Sequence, residues 1–465
     1  MSSRVRLALF LGVTATTFIG ATLLVFIATG FRIDPQNRRI VRVGALAVEV
    51  TPLGSVAKLN NGQKKEATLL NRRLFFGNLL PGAYDIEINK EGFIPWEKHD
   101  IEIYPNKTTF FPFVALFPAS INTTMQTHTT PIEPSYLIPN RIGDFLFFSD
   151  AKTIGVLDLK KQFETSLHAL GIQKAEWLVD NRTLLLTLLN TTLATLSVEA
   201  LPSSPLPLPQ ELKNGVPDPR GEGIFAERIL ENNTKEIVRF NIRTQQIEDM
   251  AQRILSSVFV VTNERLVFID FNGIAWRSGL DGNGKEQLTV AELGTIPLAI
   301  ASPKRGGHIA IKDVQGSLWL FDPNTKAFAR ISESIINFTF SESGDKLLFS
   351  TKNEVRVKYL KAYETQPVRT RYEEETVTRF AETLGTAFFY PDNEEHVLVS
   401  DSQNGVRVYE LDGRGGRNSA VLFPGPLQTT ALAQDVWLFF VTRSKTILWT
   451  ALPKIGILQF GPIGF

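Results

Sequence analysis

The chain has 465 residues, 43% hydrophobic and 21% charged, which excludes wholesale disorder and exceeds what one ordinary core organises. Its 49 Lys and Arg against 48 Asp and Glu leave a net charge of +1, with no excess for an electrostatic nucleic-acid binder. The absence of cysteine excludes disulfide scaffolds, thiolate metal centres and cysteine nucleophiles.

The first element is an apolar helix. The 25 residues from Leu7 to Phe31 carry no charge. As a helix they would reach about 37 Å, enough for a hydrocarbon core of roughly 30 Å. The run is longer than the apolar region of a cleaved signal peptide, the rival reading, for which Ala28-Thr29-Gly30 would be the cleavage site. Residues 1–32 are therefore read as a cytoplasmic tail and transmembrane anchor. Arg4 and Arg6 favour a cytoplasmic amino terminus, whereas Arg38, Arg39 and Arg42 count the other way. The adopted reading places the large C-terminal part outside the cytoplasm, because long domains translocate largely regardless of charge.

Residues 43–117 predict a small β-sandwich. Leu46, Val48 and Val50 alternate with Ala45, Ala47 and Glu49, the pattern of a half-buried strand. Pro52 and Gly54 end it, and Asn60-Asn61-Gly62 marks a turn. Tyr84, Ile86 and Ile88 alternate with Asp85, Glu87 and Asn89; Ile101 and Ile103 alternate with Asp100 and Glu102. Thr108 to Phe117 closes the set, and no helical period interrupts it.

The segments Val50-Thr51-Pro52-Leu53-Gly54-Ser55, Leu59-Asn60-Asn61-Gly62, Leu80-Pro81-Gly82-Ala83-Tyr84 and Lys90-Glu91-Gly92-Phe93 with Trp96 resemble the PEGA domain. Leu53 and Ser55 replace the Glu and Ala of its naming tetrapeptide. The resemblance implies a β-sandwich in an extracytoplasmic, envelope-associated setting in bacteria or archaea, with no catalytic residues. Trp96 reads as a packing residue.

A Thr-rich stretch, residues 118–134, predicts a linker. Residues 135–465 then repeat: a strand ends in Asp or Asn, a polar turn follows, and another strand begins. Asp158, Glu199, Asn241, Asp281, Asp322, Lys361, Asp412 and Leu452 advance by 41, 42, 40, 41, 39, 51 and 40 residues. The long step holds a charged insertion, Arg369 to Arg379. Short strands at this period predict a β-propeller, whose blades bury their faces by stacking in a ring. Eight copies predict about eight blades, or seven if the terminal copies merge on ring closure; two unrelated sandwiches are the structural alternative. The repeats resemble WD40-like and TolB-like blades, without the Gly-His and Trp-Asp dipeptides of the former.

Chemistry is sparse. No G-x-S-x-G elbow, H-E-x-x-H, phosphate loop or dinucleotide fingerprint occurs. His99, His128, His168, His308 and His396 are scattered, and His308 and His396 read as surface or packing residues. Asp281-Gly282-Asn283-Gly284-Lys285-Glu286 begins like a calcium loop but lacks the later bidentate Glu, so a hairpin turn is expected. Asp412-Gly413-Arg414-Gly415-Gly416-Arg417 and Glu373-Glu374-Glu375 read as solvated loops, the first with a lesser reading as a binder of anionic glycan or lipid headgroups. Pro202, Pro205, Pro207 and Pro209 stiffen an inter-strand loop. Asn-x-Ser/Thr strings at Asn106, Asn122, Asn181, Asn190, Asn232 and Asn337 are taken as composition. Carboxylate pairs for glycoside hydrolysis depend on a spatial separation that 48 acidic residues leave open.

The sequence thus predicts an all-β, membrane-anchored, extracytoplasmic envelope protein. It would bind or scaffold a protein or glycan partner through propeller loops, with no catalytic, cofactor or metal residues assigned and no nucleic acid as partner. A propeller hydrolase acting on envelope polysaccharide or peptide is the alternative. Ligand and oligomeric state are not legible.

Overall fold

The computed structural model describes residues 3–455 except 36–37, 120–124, 151, 169–170, 222, 232–233, 255–257, 381–383 and 437. Helix α1, Ser3–Ala28, carries the apolar run; Leu9–Ala28 is long and apolar enough to cross a membrane, and among the described residues it is not buried against the rest of the chain. It leads into a hairpin that sequence reading missed, β1 (Phe31–Asp34) and β2 (Arg39–Arg42), paired antiparallel with Ile33 opposite Ile40.

The sandwich follows as β3 (Gly44–Thr51), β4 (Val56–Leu59), β5 (Lys64–Glu66), β6 (Arg73–Leu79), β7 (Gly82–Asn89), β8 (Trp96–Ile103) and β9 (Thr108–Ala115). One sheet has the order β6-β3-β9 and the other β5-β4-β7-β8. Their facing side chains, among them Leu46, Val48, Phe76, Ile86, Ile88 and Phe111, form one core. At roughly 1.5–3 kcal/mol for each large apolar side chain taken from water, that core is the main force holding the sheets together. Strand β3 differs from the half-buried expectation, because Ala45 and Ala47 are buried too. It is the central strand, and Ala47 lies between Phe75 and Phe110, whose rings flank a side chain too small to reach solvent.

The rest is a ring of eight four-stranded antiparallel sheets. Blades one to seven occupy residues 136–168, 172–207, 212–254, 259–287, 297–332, 337–379 and 384–424; blade eight takes three strands from 430–451. Its fourth strand is β10, Gln126–Thr129, which pairs with Thr446–Ala451. The segment expected to be a linker therefore supplies a strand. Four residues leave an amphipathic period no room to show, and only the strand edge it fills identifies β10. Beside it, Nε2 of His128 meets the Glu164 carboxylate of blade one at 2.9 Å, tying the closing blade to the first.

Each repeat marker falls on the last residue of the third strand of its blade or one or two residues beyond it. There the Asp or Asn side chain caps the turn: Asp158 Oδ1 accepts from the amides of Lys160 and Lys161, and Asn241 Oδ1 from those of Arg243 and Thr244. This local hydrogen bonding is why the marker recurs at blade spacing. The Pro-rich loop of blade two also contributes structure, since Leu206–Pro207 forms its outer strand.

Candidate functional site

The turns joining first to second strands lie on one face of the ring. First strands of neighbouring blades approach one another, as in blades three to four, four to five, six to seven and seven to eight, so these turns gather toward the axis. In blades four to seven they bound an open cleft of about 870 Å³. Blades four and five contribute Arg265, Arg277, Lys304 and Arg305, together with Glu264; blades six and seven contribute Glu342, Asp392 and Glu394. Basic and acidic walls thus face each other, and among the described residues no lining side chain is aromatic.

Several of these charges are already engaged. The Glu394 carboxylate accepts from the Ser343 amide and hydroxyl, both at 2.6 Å, which fixes one turn against the next. Lys304 Nζ lies 3.4 Å from Glu342, bridging blades five and six. Arg277 binds Glu286 at 2.6 Å and holds that carboxyl below its usual range. The Gly306-Gly307 turn lines the cleft, with Gly306 at φ 90°, a conformation that costs glycine little. Sequence reading missed these residues. They stand some forty residues apart on separate turns, and nothing in chain order brings those turns together.

The same face carries the sandwich, docked against blades six and seven. Lys98 of β8 is fully buried there. Its ammonium is bound to the Glu410 carboxylate, to the Asp412 carbonyl at 2.7 Å and to the Gly416 carbonyl. Burial pulls its pKa down, opposed by Glu410. Trp96 Nε1 donates to the other Glu410 oxygen at 2.8 Å, and its ring meets Phe111 edge-on. Trp96 thus packs as expected and also joins two domains. Asn418 exchanges two hydrogen bonds with the Glu97 backbone, while Gln366 spans the Phe110 amide and the Thr108 carbonyl. At φ 63°, Gly415 brings its backbone against β8, where an added Cβ would stand 2.7 Å from the His99 carbonyl oxygen.

Two loops therefore depart from expectation. The run Asp412 to Arg417 is not a solvated loop: Arg414 donates to the Phe110 carbonyl at 2.7 Å and stacks on Phe111 at 4.3 Å, so its charges are spent inside the protein. Glu375 is bound by Arg369 and Arg417, and Glu374 to Arg379 forms the outer strand of blade six. The insertion is a packed bracket between blades. The residues facing it lie far away in sequence, so a charge run alone could not show this.

The remaining candidates sit as follows. Asp281 caps the plain turn expected, accepting from the Asn283 amide at 3.1 Å. His308 packs edge-on to Tyr372, its pKa lowered by burial and then by Arg371. His396 is buried edge-on to Phe117; burial, with the Lys98 charge, pushes its pKa down to about 3. His99 is exposed near Asp85 and Glu97, and His168 ends a strand of blade one. Among the glycosylation-like strings, Asn122 and Asn232 lie outside the described residues. Among the described residues, no group of three or more His, Asp or Glu is placed to hold a metal ion.

No protein-family model and no curated protein matches the chain. Two solved structures are similar in trace. One is the β-propeller domain of Cps50 (Swd1) from Myceliophteria thermophila, at 15% identity and a TM-score of 0.41, covering 70% of this chain and 100% of that one. The other is the computationally designed Ika8 protein, at 10% identity and a TM-score of 0.49, covering 70% of this chain and 98% of that one. At these values the assignment of a β-propeller rests on the strand pairing of the eight blades, and the chain is an all-β propeller protein with one N-terminal apolar helix.

Proposed function

We propose that this chain is a membrane-anchored, extracytoplasmic scaffold of the cell envelope, which binds a protein partner in the cleft bounded by blades four to seven. The observation that carries the reading is the cleft itself: four turns held by a rigid ring, with opposed basic and acidic walls. Rigid scaffolds that present loops suit recognition. A lining without aromatic faces offers sugar rings nothing to stack on, whereas charges of both signs suit a polypeptide carrying both. The apolar length of α1 supports the anchor, and the resemblance of the segments around Gly54, Gly82 and Gly92 to the PEGA domain is what supports the envelope setting. Fold alone fixes no activity, so the cleft bears the argument.

The test immobilises the full chain in detergent and offers it protein and glycan fractions of its own envelope. Retention of one defined protein, lost in the double variant Arg265→Glu/Arg305→Glu, supports the reading. Retention of glycan instead reverses the ligand class. Shortening of the glycan moves the hydrolase reading to first place, and retention of neither fraction overturns the assignment of the cleft.

A further inference from the structure

The β1–β2 hairpin presents an apolar face that no described residue covers. Ile33 and Ile40 are directly opposed and 71% and 60% exposed. By strand alternation they share their face with Phe31 and Arg42. The face does not stand alone. Phe31 stacks on Phe26 of α1 with ring centroids 4.8 Å apart, so the apolar surface of the helix runs on into the hairpin. Arg42 lies over the Phe31 ring at 4.9 Å, and Arg32 caps the helix end through the Ile27 carbonyl at 2.9 Å. Arg38, Arg39 and Arg42 are exposed around the apolar pair, and the hairpin's single acid, Asp34, is buried with Arg39 3.9 Å away, so the hairpin keeps a positive excess.

We infer that the hairpin lies in the bilayer interface, with Ile33 and Ile40 in the acyl boundary and Arg38, Arg39 and Arg42 on anionic phospholipid headgroups. The inference rests on α1 being the membrane anchor. Continuity with α1 chooses the occupant: a helix that spans the bilayer and ends at Ala28 leaves β1 at headgroup depth, three residues on. There apolar side chains gain by entering the boundary, and arginines gain from anionic lipid. A soluble partner could cover the isoleucines only by competing with lipid already beside them. The hairpin would then fix the sandwich, and through its buried joint the propeller, at a set height over the membrane.

The chain has no cysteine, so single-cysteine spin labels can be placed without background. The full chain, labelled in turn at Ile33→Cys, Ile40→Cys, Phe18→Cys or Leu70→Cys, is reconstituted in vesicles of phosphatidylcholine alone and in vesicles of three parts phosphatidylcholine to one part phosphatidylglycerol. Labels at 33 and 40 are expected to be shielded from a water-soluble nickel relaxant and open to oxygen in the mixed vesicles. The label at Leu70, 98% exposed on the sandwich, stays open to nickel. Replacing Arg38, Arg39 and Arg42 by Gln shifts the ratio of shielded to open label at 40 toward water by about fivefold per arginine, the equivalent of about 1 kcal/mol each at an anionic surface. Labels at 33 and 40 as open to nickel as that at 70, with Phe18 shielded, overturn the inference and leave the anchor standing. A Phe18 label open to nickel overturns the anchor itself. Equal shielding in both vesicle types overturns the headgroup assignment.

Discussion

The sandwich–propeller joint and the cleft occupy the same face of the ring and draw on similar residues, yet use them in opposite ways. In the joint, Lys98 and Glu410 are both buried, and Trp96, Asn418 and the Asp412 and Gly416 carbonyls are turned on them. In the cleft, Arg265, Arg305 and Glu264 stand at an open wall. The difference lies in water. A charge sealed from solvent must be fully paired or the fold fails, so it is committed to structure. A charge left hydrated costs the fold little and remains available to a partner.

The sharpest way to break this contrast is at Lys98. Lys98→Ala strands a buried carboxylate on Glu410 and should destabilise by about 3–5 kcal/mol, read by urea denaturation. The paired change Lys98→Met/Glu410→Gln, which keeps an acceptor for Trp96 and Asn418, should recover most of that loss; failure to recover would mean that the buried charge pair is not what holds the joint.

Acid tests the same seam. His396 has a folded pKa of about 3, below the ordinary value near 6.5 that it regains on unfolding. The unfolded chain therefore binds the extra proton. The stability tied to His396 is complete above pH 6.5 and is lost as pH falls toward 3, by up to about 1.4 kcal/mol per pH unit. His396→Phe should flatten that slope in denaturation series between pH 6 and 4; an unchanged slope would place the acid sensitivity elsewhere.

Arg414→Ala removes one charged hydrogen bond to the Phe110 carbonyl and the stack on Phe111, and should cost about 1–3 kcal/mol. Faster proteolysis between sandwich and propeller would report it. Least of all, Arg265→Glu/Arg305→Glu should stay within about 0.5 kcal/mol of the parent in stability while abolishing partner capture. A large loss of stability there would erase the contrast between the two regions.

Local regularities made much of the fold legible. Alternation at Tyr84, Ile86 and Ile88 located β7, and the Asp turns at 158, 281, 322 and 412 gave the blade period, because each side chain bonds its own neighbouring amides. The missed elements β1, β2, β4, β5 and β10 are three or four residues long, too short for a period to emerge; β6 has seven residues and was missed because Phe75 on its outer side and Gly77-Asn78 blur the alternation of Leu74 and Phe76.

What the sequence by itself determined is whatever neighbouring residues decide among themselves: the apolar helix, strand alternation, capped turns and the repeat that adds up to a ring. What only the tertiary structure decided is which distant residues meet. Arg414 read as solvated until Phe111 lay beneath it, and Arg265, Glu342 and Glu394 had no relation until the ring closed. The physical reason is that burial and the pairing of charge depend on separation in space, and chain spacing fixes that separation only within a turn or a hairpin.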